Sequence, residues 1–336
     1  MPPLNLITDV TGIAVGNAHD AGLASGVTAI LVAQPNVASG VVRGGAPGTT
    51  GVSLLAPEMT VQGVDAVVLS GGSAYGLEAS AGVMAVLRAR GIGFSVGAAV
   101  VPIVVQAIIF DLLNGGDKAW GQRSPYWQLG FAAAEGSASH GRFALGTAGG
   151  GYGATTATLK GGLGSASAVT SGGFTVGAIA VVNAVGTATI GGGPHFWAAP
   201  VERDGEFGGL GMPARITEGD LALRIKGGAP PSTTIALVAT DAILTKPEAK
   251  RLAMMADDGL ARAIRPAHAP MDGDTVFAVA TQRKPMRGGS TDLTEIGMVA
   301  ADCLARAIAR GVYEATALPF AGAVRDWQAR FGTRRS

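Results

Sequence analysis

Thr233 is a candidate hydroxyl nucleophile because of the residues on either side of it. The connector ahead of it, residues 226–232 with the sequence KGGAPPS, combines two glycines with two prolines and can form neither helix nor strand. Cleavage between Ser232 and Thr233 would free an α-amine with an unperturbed pKa of about 7.7 to 8, able to accept the hydroxyl proton. The residues alone leave a second interpretation open, an ordinary surface loop ahead of a core strand.

Other catalytic and metal-binding patterns are poorly matched. Residues 71–75 (GGSAY) lack the last glycine of a serine-hydrolase elbow, and residues 149–153 (GGGYG) are not followed by the helix and acid of a dinucleotide site. Cys303 falls on the apolar stripe of a predicted helix and is interpreted as a small buried hydrophobe. The histidines form no HxxxH or HExxH pattern, so no metal, no cofactor and no catalytic histidine is predicted. They are His19, His140, His195 and His268.

The composition narrows the class of protein. The 336 residues are 48% apolar and 15% charged, with a formal net charge of +1, which indicates a compact protein without the general charge needed for nucleic acid or anionic membranes. One cysteine excludes a disulfide framework, and the N-terminal sequence lacks a signal-peptide pattern, so we expect a cytoplasmic protein. Residues 91–110 are uncharged and long enough to span a membrane. Their glycines, proline, glutamine and many β-branched residues favour a buried strand instead.

The elements that must position Thr233 alternate along the chain. Short β-branched runs predict strands at 27–33, 66–69, 176–182, 235–240 and 275–281. The spacing of apolar residues predicts helices over 73–90, after the capping box Thr245 to Glu248, and from about Ser290 onward. No long linker interrupts this alternation. The pattern indicates one layered α/β domain over residues 1–336.

Several motifs in a fixed order then allow a comparison with known families. They are VVRGGAPGT from residue 41, LSGGSAYGLEA from 69, KGGLGS from 160, VNAVG from 182, TTI from 233, ATDA from 239 and MDGDTVFA from 271. Together they resemble the self-processing N-terminal-nucleophile hydrolases that include the L-aminopeptidase/D-esterase DmpA, the β-peptidyl aminopeptidases and the nylon-oligomer (6-aminohexanoate-oligomer) hydrolases. The resemblance covers nearly the whole chain. It implies an αββα four-layer sandwich, cleaved into a larger chain, 1–232, and a smaller chain, 233–336, that assemble into tetramers or larger homo-oligomers.

The resemblance also implies roles for individual residues. Thr233 corresponds to the nucleophile that cleavage after Ser232 exposes, and the amide of Asn183 to a donor that holds the oxyanion. The remaining implied catalytic residues are Lys160, which corresponds to a basic residue lining the site, and the pair Asp272 and Asp274, which orients the new α-amine and the nucleophile. Without the resemblance, Lys160 could equally be a surface lysine, Asn183 a strand-end cap, and Asp272 and Asp274 part of a turn.

The sequence departs from the family pattern at two places. Ser232 stands where relatives with the TTI motif carry Asn, and Phe110 stands before Asp111 where nylon-oligomer hydrolases carry Tyr. Tyr75 and Phe110 are expected near the substrate pocket. The predicted activity is hydrolysis of amino-acyl, β-amino-acyl or ω-amino-acyl amides, with small peptides or amide oligomers as substrates and an acyl-enzyme on Thr233. Two alternatives remain: an acyltransferase of the ornithine-acetyltransferase kind, and an unprocessed, non-catalytic ligand-binding homologue.

Overall fold

The computed structural model describes residues 4–139, 141–228 and 230–332. His140 and one connector residue, Ala229, lie outside the described residues. The strands are β1 (Ile13–Asp20), β2 (Ser25–Val32), β3 (Val37–Val42), β4 (Thr49–Thr50), β5 (Ala66–Ser70), β6 (Phe94–Val96), β7 (Ala99–Val101), β8 (Val104–Ile108), β9 (Ala138–Ser139), β10 (Gly162–Val169), β11 (Thr175–Asn183), β12 (Thr233–Ala242) and β13 (Thr275–Lys284). The α-helices are α1 (Ser73–Gly76), α2 (Ala79–Ala89), α3 (Tyr126–Glu135), α4 (Glu218–Leu221), α5 (Lys246–Ala263), α6 (Ser290–Tyr313) and α7 (Trp327–Phe331).

Two sheets face each other at the centre of the molecule. The first sheet has the strand order β4-β8-β5-β2-β1-β9, and the second has the order β10-β11-β12-β13-β3. Apolar side chains from both, including Ile30 and Leu69 of the first and Val181, Leu237 and Phe277 of the second, form one buried cluster between them. Helices α2 and α3 cover the outer face of the first sheet, and α5 and α6 cover that of the second. This is the predicted αββα sandwich.

The abundance of glycine has a packing reason at the contact between α6 and the second sheet. A methyl group on Gly164 of β10 would come within 1.8 Å of the Ala307 carbonyl oxygen in α6. The helix backbone therefore lies directly on the strand, at a distance that only glycine permits. Such close packing of the layers fixes the positions of the central strands. The candidate site lies at the ends of these strands.

Most of the predicted strands and helices are present, and one predicted helix is divided into two. Thr245 and Glu248 form the predicted capping box, in which Glu248 Oε2 accepts the Thr245 N–H at 2.7 Å. The helix predicted over 73–90 is instead two helices, α1 and α2, and the buried side chains of α2 include Val83, Val86 and Leu87. Helix α3 packs closely against α2, where a methyl group on Gly82 would lie 2.1 Å from the Trp127 carbonyl oxygen.

The prediction of a buried strand over residues 91–110 is correct only for β8. Strands β6 and β7 form a hairpin that lies on the surface, where Val96 is 61% exposed. Gly93 and Gly97 have φ values of 153° and 58°, a backbone conformation that lets the chain turn away from the sheet before Pro102. Among the described helices, none is long and apolar enough to cross a membrane.

Candidate active site

Neighbouring strands of the second sheet bring the predicted catalytic residues together. Asn183 ends β11 and Thr233 begins the antiparallel β12, and the two residues are direct partners in the strand register. Strand β13 runs parallel to β12, and Ser232 forms an isolated bridge with Asp272 just ahead of it. The connector and the Asp272–Asp274 turn therefore meet at one end of the sheet.

The Ser232 carbonyl oxygen accepts hydrogen bonds from both the Thr233 hydroxyl and a backbone N–H. Thr233 is buried, and its Oγ1 donates a hydrogen bond to the Ser232 carbonyl oxygen. The Gly273 N–H donates to the same oxygen at 2.8 Å. A methyl group on Gly273 would lie 2.8 Å from Thr233 Oγ1, so glycine is needed for this approach. A hydroxyl beside a carbonyl whose oxygen already accepts an N–H is the arrangement that acyl transfer requires.

The two predicted acids accept backbone N–H groups from three segments that meet near this carbonyl. Asp274 accepts the Thr234 N–H at 2.7 Å, while Asp272 accepts the N–H groups of Val185 at 3.3 Å and Ala269 at 3.1 Å. Burial, together with the charge of Asp274, raises the pKa of Asp272 to about 6. These contacts fix the starts of β12 and β13, so the pair is more than a simple turn.

A histidine lies against the acidic pair, although the sequence placed none in the mechanism. His268 Nδ1 is 2.9 Å from Asp274 Oδ2, and its Nε2 is 3.4 Å from Asp257 Oδ2 on α5. Arg43 pairs with the same Asp257 oxygen at 3.1 Å. Hydrogen bonds to Asp257 and Asp274 raise the pKa of His268 to about 10, well above its ordinary 6.5. His268 is therefore a cation at neutral pH that clamps Asp274.

This clamp predicts a specific pH dependence of stability. A histidine whose pKa is raised on folding stabilises the native state fully below pH 6.5, and this contribution is lost as the pH rises toward 10. Between pH 7 and 9 the free energy of unfolding should fall more steeply in the wild type than in His268→Gln. The difference has an upper limit of about 1.4 kcal/mol per pH unit. Denaturant unfolding at several pH values measures it, and parallel curves for the two proteins would contradict the charged clamp.

Asn183 is buried at the end of β11 with its side-chain amide held from three sides. Its Nδ2 donates to the Phe110 carbonyl oxygen at 3.0 Å. Its Oδ1 accepts the Thr155 N–H at 3.0 Å and the Lys226 ammonium at 3.0 Å. The amide is therefore preorganised, as an oxyanion donor must be.

Lys160 is a buried residue and not a solvated surface lysine. Its ammonium donates to the carbonyl oxygens of Gly151, Ala154 and Gly161 at 3.2, 2.8 and 2.9 Å. Burial lowers the pKa of Lys160 to about 7. Since three carbonyls occupy its three N–H groups, Lys160 fastens the loop before β10.

A cavity of about 300 Å³ lies beside these residues. The polar and aromatic side chains lining it include Phe110, Asp111, Lys160, Asn183 and Lys226, together with Pro230 and Pro231 of the connector. Of the two predicted pocket residues, Phe110 lines this cavity and Tyr75 does not. Tyr75 is 54% exposed on the single turn of α1 and packs edge-on against Trp120. The structure therefore separates Tyr75 from the other predicted site residues.

The cavity also contains a carboxylate that the sequence analysis did not assign. Asp111 is buried and accepts hydrogen bonds from Ser25 Oγ at 2.6 Å and from the Gly72 N–H at 2.7 Å. Burial raises the pKa of Asp111. In the sequence, an acid that follows an apolar run gives no sign that it faces a cavity.

The chain matches one protein family and several relatives over almost its whole length. The family described as Peptidase family S58 matches residues 5–324. An uncharacterized aminopeptidase of Mycobacterium tuberculosis is 44% identical, covering 95% of this chain and 96% of the relative. A 6-aminohexanoate-oligomer endohydrolase of Kocuria sp. is 29% identical, covering 88% of this chain and 82% of that relative.

Two solved structures are similar in fold. A beta-aminopeptidase of Burkholderia sp. has a TM-score of 0.72 and 22% identity, covering 98% of this chain and 92% of the other. The L-aminopeptidase D-Ala-esterase/amidase of Ochrobactrum anthropi, described as a variant of the Ntn hydrolase fold, has a TM-score of 0.67 and 23% identity, covering 98% and 95%. The αββα layers seen here are therefore those of an Ntn-hydrolase fold.

Proposed function

The chain belongs to Peptidase family S58, and we propose that it cuts its own backbone between Ser232 and Thr233 and then hydrolyses amides with the Thr233 hydroxyl. The aminopeptidase and amidohydrolase activity follows from membership of the family. The nucleophile, the acyl-enzyme and the substrate class are the proposal. The mature enzyme would then consist of a larger chain, 1–232, and a smaller chain, 233–336.

One observation carries the proposal: the Ser232 carbonyl oxygen accepts hydrogen bonds from both the adjacent Thr233 hydroxyl and the Gly273 N–H, the latter at 2.8 Å. In the first step Thr233 Oγ1 attacks the carbonyl carbon, and Gly273 stabilises the oxyanion. The bond from that carbon to the Thr233 nitrogen then breaks, and the nitrogen gains the proton that Oγ1 has lost, which leaves an ester on Oγ1 and a free α-amine. Water hydrolyses the ester, which releases the Ser232 carboxylate and restores the hydroxyl.

The new α-amine then serves as the base for substrate hydrolysis. It takes the proton of Thr233 Oγ1 as this oxygen attacks the substrate carbonyl, and it passes the proton to the departing amine. The resulting acyl-enzyme is hydrolysed by water. Asn183 lies opposite Thr233 in the strand register, where its amide can stabilise the substrate oxyanion.

The cavity supports substrates with a free amino group. Asp111 places a buried carboxylate in its lining, and an ammonium group is the partner that such a carboxylate binds best. Amino-acyl, β-amino-acyl and ω-amino-acyl amides all present an ammonium on the acyl side of the bond. When the substrate ammonium binds Asp111, the length of the acyl chain decides whether the carbonyl of the amide reaches Thr233 Oγ1. One of these three classes would have the matching length.

A panel of amino-acyl p-nitroanilides of increasing chain length tests this substrate class. Each compound is paired with its N-acetylated form, in which the positive charge is absent and the leaving group is unchanged. We expect at least about 30-fold lower kcat/KM for the acetylated member, because losing one partner of a buried charge pair costs about 2 kcal/mol or more. Equal turnover of both members would contradict recognition of the amine, while leaving the nucleophile untouched.

A further inference from the structure

Lys226 contacts the proposed oxyanion donor, Asn183, directly. Its ammonium donates to Asn183 Oδ1 at 3.0 Å and to the Asn183 carbonyl oxygen at 3.1 Å. Its own N–H donates to the Val185 carbonyl oxygen at 3.0 Å, so the backbone of Lys226 is fastened to the segment that follows β11. The residue also lines the cavity. It lies six positions before the proposed cleavage site.

An amide side chain such as that of Asn183 can exchange its oxygen and nitrogen by a half-turn, and only its hydrogen-bond partners decide between the two orientations. Here Oδ1 accepts from two donors, the Thr155 N–H and the Lys226 ammonium. In the reversed orientation the Nδ2 hydrogens would face both donors. The lysine therefore selects the orientation in which Nδ2 donates on the side of Phe110, another residue of the cavity lining.

The other cavity lysine does not do this. Lys160 donates hydrogen bonds to three backbone carbonyl oxygens, whereas Lys226 donates to Asn183. Burial lowers the pKa of Lys226 to about 7, while the negative charges of Asp272 and Asp111 oppose this effect and favour the ammonium.

We infer that Lys226 is a positioning residue for amide hydrolysis, holding the Asn183 amide with its nitrogen available to the substrate oxyanion. The inference rests on the proposed function. It requires that the end of the larger chain remain seated in the mature site after cleavage, with its Lys226 N–H on Val185. The connector is then a part of the finished active site, and not only the segment that is cut.

A double-mutant cycle tests this role. Lys226→Met keeps much of the packing and removes the charge; we expect kcat to fall by about 10- to 100-fold, the range of a hydrogen bond to a charged group, with little change in KM. In an Asn183→Ala background the same change should cost less than about 3-fold, because the residue it positions is gone. Equal losses in both backgrounds would overturn the inference. Arg224→Met is the matched control, since Arg224 is exposed on the same segment and should leave kcat unchanged.

Chemical rescue separates the ammonium from simple packing. In Lys226→Cys the new thiol can be alkylated with 2-bromoethylamine, which rebuilds a lysine-length ammonium, or with 1-iodopropane, which supplies a chain of equal length without charge. The natural cysteine, Cys303, is buried and does not compete. Recovery of kcat only with the aminoethyl group is expected, and equal recovery with the propyl group would overturn the inference. If Thr233→Val instead retained hydrolysis, the proposed function itself would fail.

Discussion

Thr233→Val should yield one intact chain with no measurable amidase activity. The substitution keeps the shape of the side chain and removes the hydroxyl that lies against the Ser232 carbonyl, so neither self-cleavage nor acyl-enzyme formation can begin. Loss of the nucleophile reduces kcat by about 10⁶-fold in hydrolases where it has been replaced. Electrophoresis under denaturing conditions and p-nitroanilide turnover measure the two effects together.

The neighbouring residue provides a control of the same type. Thr234 is also buried, and within the described part of the chain its Oγ1 has no hydrogen-bond partner, while its N–H is held by Asp274. Thr234→Val should therefore retain cleavage and activity. If Thr233→Val gave two bands and normal turnover, Thr233 would not be the nucleophile. The same would follow if only Thr234→Val lost cleavage and activity.

Asn183→Ala should separate the two reactions. In the uncleaved chain the Ser232 carbonyl oxygen accepts from Gly273, whereas the Asn183 amide donates to Phe110. Self-cleavage should therefore proceed, while kcat for amide hydrolysis falls by about 10²- to 10³-fold, the usual effect of removing one oxyanion donor. KM should change much less. Chain composition by electrophoresis and steady-state kinetics report the two outcomes separately.

A second asparagine gives the comparison for this variant. Asn17 also carries an amide bonded within the sheet region, to Ala144 and Thr28, but it lies in β1, on the other sheet. Asn17→Ala should keep wild-type kcat. If Asn183→Ala kept the wild-type kcat, Asn183 would be a strand-end cap and not an oxyanion donor.

Local patterns were sufficient to predict much of the fold. β-Branched runs predict strands that the structure confirms, and the capping box at Thr245 forms as expected. The ordered motifs identify the family, which the match to Peptidase family S58 confirms. The hairpin of β6 and β7 was missed because an uncharged run resembles a buried strand whether or not a neighbouring layer covers it.

The candidate site could be predicted only in part. The motifs place Asn183, Thr233, Asp272 and Asp274 in the chain, and the strand register brings them together as the family resemblance implies. The contacts of Lys226 could not be foreseen, because a lysine followed by two glycines is typical of an exposed loop and its burial depends on how the connector packs against β11.

His268 was missed for a different reason. Its partners come from α5 and from the turn before β13, and such a meeting depends on tertiary packing and not on sequence spacing.

The most direct test is the intact mass and N-terminal sequence of the purified wild-type protein, produced without added protease. We predict two chains that together account for residues 1–336, the smaller one beginning with Thr233-Thr-Ile-Ala. The bond that is cut is the one whose carbonyl oxygen accepts from both the Thr233 hydroxyl and the Gly273 N–H. An active protein that remains one chain of 33.4 kDa, or one cut at a different bond, would contradict the account.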